Sequence, residues 1–177
     1  VAQESFDNPS VSLINSKQIG SFEDFLLAPL SRVEIFFAYI FSQFFISLFL
    51  GTISFVILSF FISINYFSIF SFVYYLTLVI ILFSSIGSVV GFLSYRWDIQ
   101  STVSNFLISP INFLSGTFFS ISALPESFKI LLLYNPYYYI ILYFRESFYV
   151  KYEVDYYNNF IVFIFILVVF LISGYIF

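Results

Sequence analysis

Long stretches without a charged side chain set the architecture of this chain. Ile35–Tyr95 contains no Asp, Glu, Lys or Arg over 61 residues. As a single helix it would be about 90 Å long, roughly three times the hydrocarbon thickness of a bilayer. We therefore expect one reversal near Asn65–Tyr66, where polar residues cluster, and two membrane spans at about Phe36–Ile62 and Phe67–Ser94.

Two later uncharged stretches predict two more spans. Ile99–Ile121 is long enough to cross a bilayer, and the last 21 residues, 157–177, contain the apolar run VFIFILVVFLI. The third span is unusually rich in small and polar residues. Such residues suit either close helix packing, including a dimer interface, or a path for a polar molecule. They are Asn105, Pro110, Asn112, Ser115 and Gly116.

The segment between the third and fourth spans is apolar but too short to cross a bilayer. Ile130–Phe144 has 15 residues and is broken at Asn135–Pro136, where proline removes a backbone donor. Its tyrosines are typical of the membrane interface. We therefore expect a re-entrant or interfacial helical pair over residues 127–150.

A short amphipathic helix is predicted just before the first span. Ser21 can cap it, Glu23 and Asp24 lie favourably in its first turn, and Pro29 ends it. Residues 1–34 then form a segment outside the membrane, and residues 35–177 form the transmembrane domain. The helix can serve as an interfacial anchor or as a docking element for another protein, and these alternatives stay open at this point.

The amino-acid composition excludes several classes of protein and of functional site. The chain has 61% apolar and 9% charged residues, too few charges to coat a soluble domain, so it is an all-α membrane protein. Cys and His are absent, which excludes thiol and histidine catalysis and the usual metal centres. A net charge of −4 disfavours nucleic acid, and no GxxxxGK[ST] loop occurs. We assign no catalytic, cofactor-binding or metal-binding residue.

Charge alone does not give the orientation, because the basic residues divide equally between the two sides of a four-span arrangement. One side carries Lys17, Arg32 and Arg96, and the other carries Lys129, Arg145 and Lys151.

Three strings in this order resemble the permease subunits of ABC-2 type exporters. They are SFEDFLLAPLSRVEIFFAYI (Ser21–Ile40), NFLSGTFFSISALP (Asn112–Pro125) and LLYNPYYYIILYFRESF (Leu132–Phe148). The resemblance implies that the four spans are the third to sixth helices of a six-helix bundle and that the chain is a fragment lacking the first two. It also implies that Lys17, Arg32 and Arg96 face the cytoplasm, and that Pro125 and the tyrosine-rich re-entrant pair face outward.

The resemblance further implies a division of labour. The segment around Gly20–Leu27 would be a coupling helix that docks on a separate ATP-binding cassette ATPase subunit, which binds the ATP. The permease itself would be no enzyme and need no cofactor. Two permeases would form a homodimer in the cytoplasmic (inner) membrane of a bacterium. The coupling residues would be Gly20, Phe22, Glu23, Asp24, Phe25, Leu26 and Leu27, and the external re-entrant segment would contain Pro125, Asn135, Pro136 and Arg145.

A different class of function stays open beside the exporter. The chain can instead be a structural or assembly subunit of a larger membrane complex, whose aromatic spans only pack against neighbours. The two hypotheses differ in whether a P-loop ATPase is encoded beside the gene. The transported substrate is not assigned by any residue.

Overall fold

The computed structural model of the chain describes residues 1–27, 29–61, 68–117, 135–148 and 156–177, in which the regular elements are helices. These are α1 (Ala2–Ile19), α2 (Ser21–Leu27), α3 (Arg32–Ser59), α4 (Ile69–Leu93), α5 (Trp97–Val103), a π-helical turn (Ser104–Ile108), α6 (Ser109–Phe113), α7 (Pro136–Glu146) and α8 (Tyr156–Ile176). The expected class, an all-α membrane protein, is confirmed. The predicted reversal at Asn65–Tyr66 lies outside the described residues.

Among the described residues, two helices, α3 and α4, are long and apolar enough to cross a bilayer. The predicted spans Phe36–Ile62 and Phe67–Ser94 fall on them. Within α8, Phe160–Ile176 is a shorter apolar stretch. One whole side of α3 exposes large apolar side chains, such as Phe41 and Phe49, and α8 does the same. Because lipid is the solvent for such a surface, this pattern is typical of helices that face hydrocarbon.

The helix start at α3 is built by a capping box. The Ser31 hydroxyl accepts a hydrogen bond from the Glu34 backbone amide, and the Glu34 carboxylate accepts one from the Ser31 amide. The predicted cap at Ser21 is wrong, because the Ser21 hydroxyl donates to the Ser16 carbonyl and Ser21 is the first residue of α2. The S-x-x-E spacing of Ser31 and Glu34 was the stronger signal in the sequence.

Helix α4 is the centre of the bundle and packs against α1, α3, α7 and α8. Its contact with α1 is made through two glycines. A side chain at Gly87 would lie 2.3 Å from the Phe6 carbonyl oxygen, and one at Gly91 would lie 2.7 Å from the Ser10 Cα. Only glycine lets the two backbones approach this closely, as in the small-xxx-small packing of membrane helices.

The position of α1 differs from the expectation that residues 1–34 lie outside the transmembrane domain. Phe6, Leu13 and Ile14 are fully buried, and α1 packs against α4 more extensively than any other helix does. The physical reason is that the polar residues of α1, which look aqueous in the sequence, have partners inside the bundle. The Ser5 hydroxyl, for example, lies 2.9 Å from the Ser47 hydroxyl of α3.

The predicted third span, Ile99–Ile121, begins as one continuous helical run. It comprises α5, the π-helical turn and α6, and its helical geometry ends at Phe113. Residues 118–121 lie outside the described part. Pro110 accounts for the π-helical turn, because it has no amide to bond the carbonyl four residues earlier and the helix widens locally to compensate.

Of the predicted helical pair at residues 127–150, the structure describes residues 135–148, which contain α7. The ring of Tyr137 packs on Phe83 in the middle of α4, and the ring of Phe144 packs on Phe72 near its start. At the far end, the Ser68 amide donates to the Ser147 carbonyl. Helix α7 therefore runs antiparallel along the first half of α4, and its Ile140 and Tyr143 are buried in the core.

Candidate functional site

The predicted coupling segment forms α2, a separate short helix at one end of the bundle. Gly20 ends α1 in the left-handed conformation, with φ of 86°, and turns the chain into α2. Glu23 and Asp24 are exposed in the first turn, and Leu27 is 84% exposed. The side chains of Phe25 and Leu26 lie outside the described part. The exposed side of α2 thus carries both acidic groups and an apolar group.

The opposite side of α2 is held against the bundle by Phe22. This ring packs against a buried cluster that includes Leu13 of α1 and Phe36 of α3. The inner side of α2 is apolar at Phe22, and its outer side carries acidic groups together with the apolar Leu27. The sequence placed Phe22 among the residues that contact a partner, whereas the structure directs it inward as the anchor of the helix.

Lys17, in the last turn of α1, lies beside α2 and the C-terminal end of α4. Its ammonium donates to the carbonyls of Gly91 (2.9 Å), Ser94 (3.1 Å) and Phe92. Partial burial lowers the pKa of Lys17 because it penalises the charged form. In the sequence, the only indication of these contacts is a basic residue next to the coupling segment.

A polar network joins α1 to the predicted polar span. The Asp7 carboxylate accepts hydrogen bonds from Gln3 (2.9 Å), Gln100 (2.7 Å) and the Ser104 hydroxyl (3.1 Å). Gln3 in turn accepts a bond of 3.1 Å from the Asn112 amide. The Asp7 acceptor and the donors of this network are thereby paired within the bundle, whereas the buried side-chain oxygen of Asn112 has no hydrogen-bond partner in the described part of the chain.

A second polar contact joins the end of α6 to both ends of α7, and we call it the α6–α7 clamp. Asn135 caps α7 by accepting from the Tyr137 amide (3.0 Å), and its side-chain amide donates to the carbonyls of Ile111 (3.1 Å) and Leu114 (3.2 Å). Arg145 donates to the Gly116 carbonyl at 2.6 Å. Both residues therefore satisfy carbonyls at a helix end that have no partner within the helix.

The five residues predicted for a substrate path or dimer interface divide into two groups. Asn112, Ser115 and Gly116 face inward, where they contact Gln3 or belong to the α6–α7 clamp region. Asn105 and Pro110 are exposed on the outer face of the same helical run. Of the predicted re-entrant residues, Asn135 and Arg145 both belong to the α6–α7 clamp, one at each end of α7. Pro136 is the first residue of α7, and Pro125 lies outside the described residues.

The polar face of α1 was not anticipated from the sequence. Beyond Gln3 and Asp7, it lines an open groove of about 740 Å³ between α1 and α3, which also receives Glu34 and Gln43. The signal available in the sequence was GSVVG, Gly87–Gly91, which predicts a helix packed closely on α4. Chemically, the arrangement offers hydrogen-bonding groups, among them the carboxylates of Asp7 and Glu34, which suit helix packing.

Comparison with known proteins places these features in a family. The family model described as "ABC-2 type transporter" matches residues 6–149. The chain is similar to proteins named "Inner membrane transport permease YadH" from Escherichia coli K12, Escherichia coli O157:H7 and Shigella flexneri, with 31% identity over 151 residues. The match covers 84% of this chain and 58% of each relative. No solved structure matches significantly.

Proposed function

This chain belongs to the ABC-2 type transporter family, and from that premise we propose that it is the permease part of an exporter in the inner membrane of a bacterium. ATP is hydrolysed by a separate ATP-binding cassette subunit, which docks on α2. The substrate crosses through the membrane domain as the permease alternates between inward-open and outward-open states. The chain spans 58% of the length of the curated relatives, so the complete permease is the unit to which this activity applies.

The observation that carries the proposal is the exposed side of α2. Its acidic first turn and the 84% exposed Leu27 stand at the end of the bundle, continued by the exposed Leu30. Large apolar side chains beside charged ones are typical of protein-binding patches rather than of lipid-facing surfaces. A partner that covers this side gains apolar burial there, and Phe22 fixes α2 to the bundle beneath it.

Replacing Leu27 with Asp tests the docking surface. The full-length permease is co-expressed with the P-loop ATPase encoded beside its gene, and co-purification and ATP hydrolysis are measured in lipid nanodiscs. Loss of one apolar anchor costs about 1–2 kcal/mol of binding, so we expect roughly 5- to 30-fold weaker association. Transport should fall in parallel while the permease stays in the membrane.

Ser101→Asp is the matched control, because Ser101 is exposed at the same end of the bundle on α5. It introduces the same carboxylate away from α2, and we expect wild-type association. Equal association of the ATPase with both variants would refute docking on α2. A wild-type permease that binds no ATPase would favour a structural or assembly subunit instead.

We also propose that the permease is a homodimer through the outer face of the helical run formed by α5, the π-helical turn and α6. Asn105 and Phe106 are exposed there, and Phe106 is 77% exposed. An asparagine directed at lipid would leave its amide unsatisfied, whereas a facing copy of the same helix can hydrogen-bond to it. The same face can border a substrate path between two copies.

A further inference from the structure

The Lys17 ammonium touches three parts of the chain at once. Its nitrogen lies 4.6 Å from the centre of the Tyr95 ring, 5.3 Å from that of Phe92 and 5.4 Å from that of Phe22. These are distances at which a cation is attracted to an aromatic face. Phe22 belongs to α2, Phe92 to the end of α4, and Tyr95 to the connection that leads into α5.

The same ammonium also stabilises the C-terminal end of α4 electrostatically. The last carbonyls of a helix have no intrahelical donors and carry the negative end of the helix dipole. Lys17 donates to the carbonyls of Gly91, Phe92 and Ser94. One cation therefore binds the end of α4 by hydrogen bonds and the ring of Phe22 by its charge.

The contact of Lys17 with Phe22 matters because of the way in which α1 and α2 are connected. Gly20 joins the two helices in a left-handed conformation, and no atom lies within 4 Å of the position that a side chain there would occupy. A seven-residue helix is about 10 Å long, so a modest pivot at Gly20 would move its far end by several ångströms. A movement of α2 reaches the spans reliably only if α2 cannot pivot independently.

We propose that Lys17 is a positioning residue that fixes α2 to the C-terminal end of α4, so that movement of α2 on the ATPase is passed to α4. The inference rests on the proposed function, since it assigns the step between docking and the movement of a span. A neighbouring contact supports the same end of the bundle: the Trp97 indole of α5 donates to the Gln18 side chain of α1 at 2.6 Å.

The experiment measures the distance between α2 and α4 directly. Residues 1–177 contain no cysteine, so spin labels are attached at the exposed positions Glu23→Cys and Leu93→Cys after any cysteine elsewhere in the full-length permease has been replaced by serine. Distances are measured by pulsed electron paramagnetic resonance on the full-length permease in nanodiscs, without the ATPase. With Lys17 present we expect one narrow distance distribution. Lys17→Met should broaden it or add a second distance several ångströms away, and Lys17→Arg should restore the narrow one.

Two controls separate this role from general stability. Arg96→Met removes a positive charge at the same end, where Arg96 is exposed and paired with Asp98, and should leave the distribution narrow. A second label pair at Thr52 and Val73, exposed on α3 and α4, should not respond to Lys17→Met. An unchanged Glu23–Leu93 distribution in Lys17→Met overturns the proposal. So does a change at both label pairs, or an equal response to Arg96→Met.

The outcome is independent of the test of function. The label distances report on the permease alone, whereas Leu27→Asp reports on binding of the ATPase. We also expect Lys17→Met to keep the ATPase bound, because the exposed side of α2 is unaltered, and loss of binding would contradict the role assigned to Lys17. If the wild-type permease binds no ATPase, the proposed function fails while the distance result still stands.

Discussion

At the scale of single residues, Gly87 decides how closely α1 packs on α4. An alanine methyl group there would meet the Phe6 carbonyl oxygen at 2.3 Å and the Phe6 carbonyl carbon at 3.0 Å, which backbone atoms cannot avoid by rotating. We therefore expect Gly87→Ala to lower the free energy of unfolding by about 1–3 kcal/mol, as overpacking does elsewhere. Thermal unfolding in detergent measures the loss.

Gly51→Ala on α3 is the matched comparison for this prediction. Its methyl group would meet the flexible end of Leu76, with a closest approach of 3.2 Å, so a small side-chain adjustment can accommodate it. The unfolding temperature should change little. Equal effects of the two alanines would show that the close contact between α1 and α4 does not exist.

Residue types in the sequence were informative where a local pattern fixes the geometry. The spacing of Ser31 and Glu34 forms a capping box, and Gly87 and Gly91 mark a close helix contact. Lys17 is different, because its acceptors lie 74 to 77 residues further along the chain. Contacts over such separations depend on packing that no local periodicity records.

At the scale of elements, the α6–α7 clamp depends on Asn135, which performs two tasks. It caps α7 with its oxygen and binds two α6-end carbonyls with its nitrogen. Asn135→Ala should remove both contacts and lower the free energy of unfolding by about 2–3 kcal/mol, of which roughly 1 kcal/mol is the cap. Asn135→Ser should recover only the cap, because serine is a good capping residue that reaches less far.

Thermal unfolding should therefore rank the proteins as wild type, then Asn135→Ser, then Asn135→Ala. A serine variant as stable as wild type would mean that the donations to α6 contribute nothing. A serine variant no better than alanine would mean that the cap contributes nothing. Either ranking would contradict the division of roles assigned to this residue.

The elements whose position hydropathy indicates in the sequence are those with long uncharged, apolar stretches. Such stretches make up α4, α8 and all but the first turn of α3, which contains Arg32 and Glu34. Hydropathy does not predict the position of α1. In the sequence, Gln3 and Asp7 look like residues in contact with water. Only the structure shows that they are hydrogen-bonded to Gln100, Ser104 and Asn112. The α6–α7 clamp is an intermediate case. Its motifs can be recognised one by one in the sequence, but only the tertiary structure shows that they contact each other.

At the scale of the whole molecule, α3 and α4 connect the end of the bundle that carries α2 with the end at which α4 begins. Helix α2 and Lys17 lie where α3 begins and α4 ends, and α7 lies against the opposite half of α4. The exposed apolar surfaces of α3 and α8 leave these two helices suited to lipid on their outer sides. This arrangement suits the proposed function, in which a partner docks on α2 at one end of the packed bundle.

The sidedness of α2 tests this account most directly. Single cysteines are introduced at the exposed residues Glu23, Ser59 and Asp98 of a full-length permease in which any other cysteine is replaced by serine, and they are labelled with a membrane-impermeant maleimide in spheroplasts and in inverted inner-membrane vesicles. On the proposal that α3 and α4 each cross once, we predict that Ser59→Cys reacts only from outside, and that Glu23→Cys and Asp98→Cys react only from the cytoplasmic side. Reaction of all three from one side, or of Glu23→Cys from outside, would contradict the account.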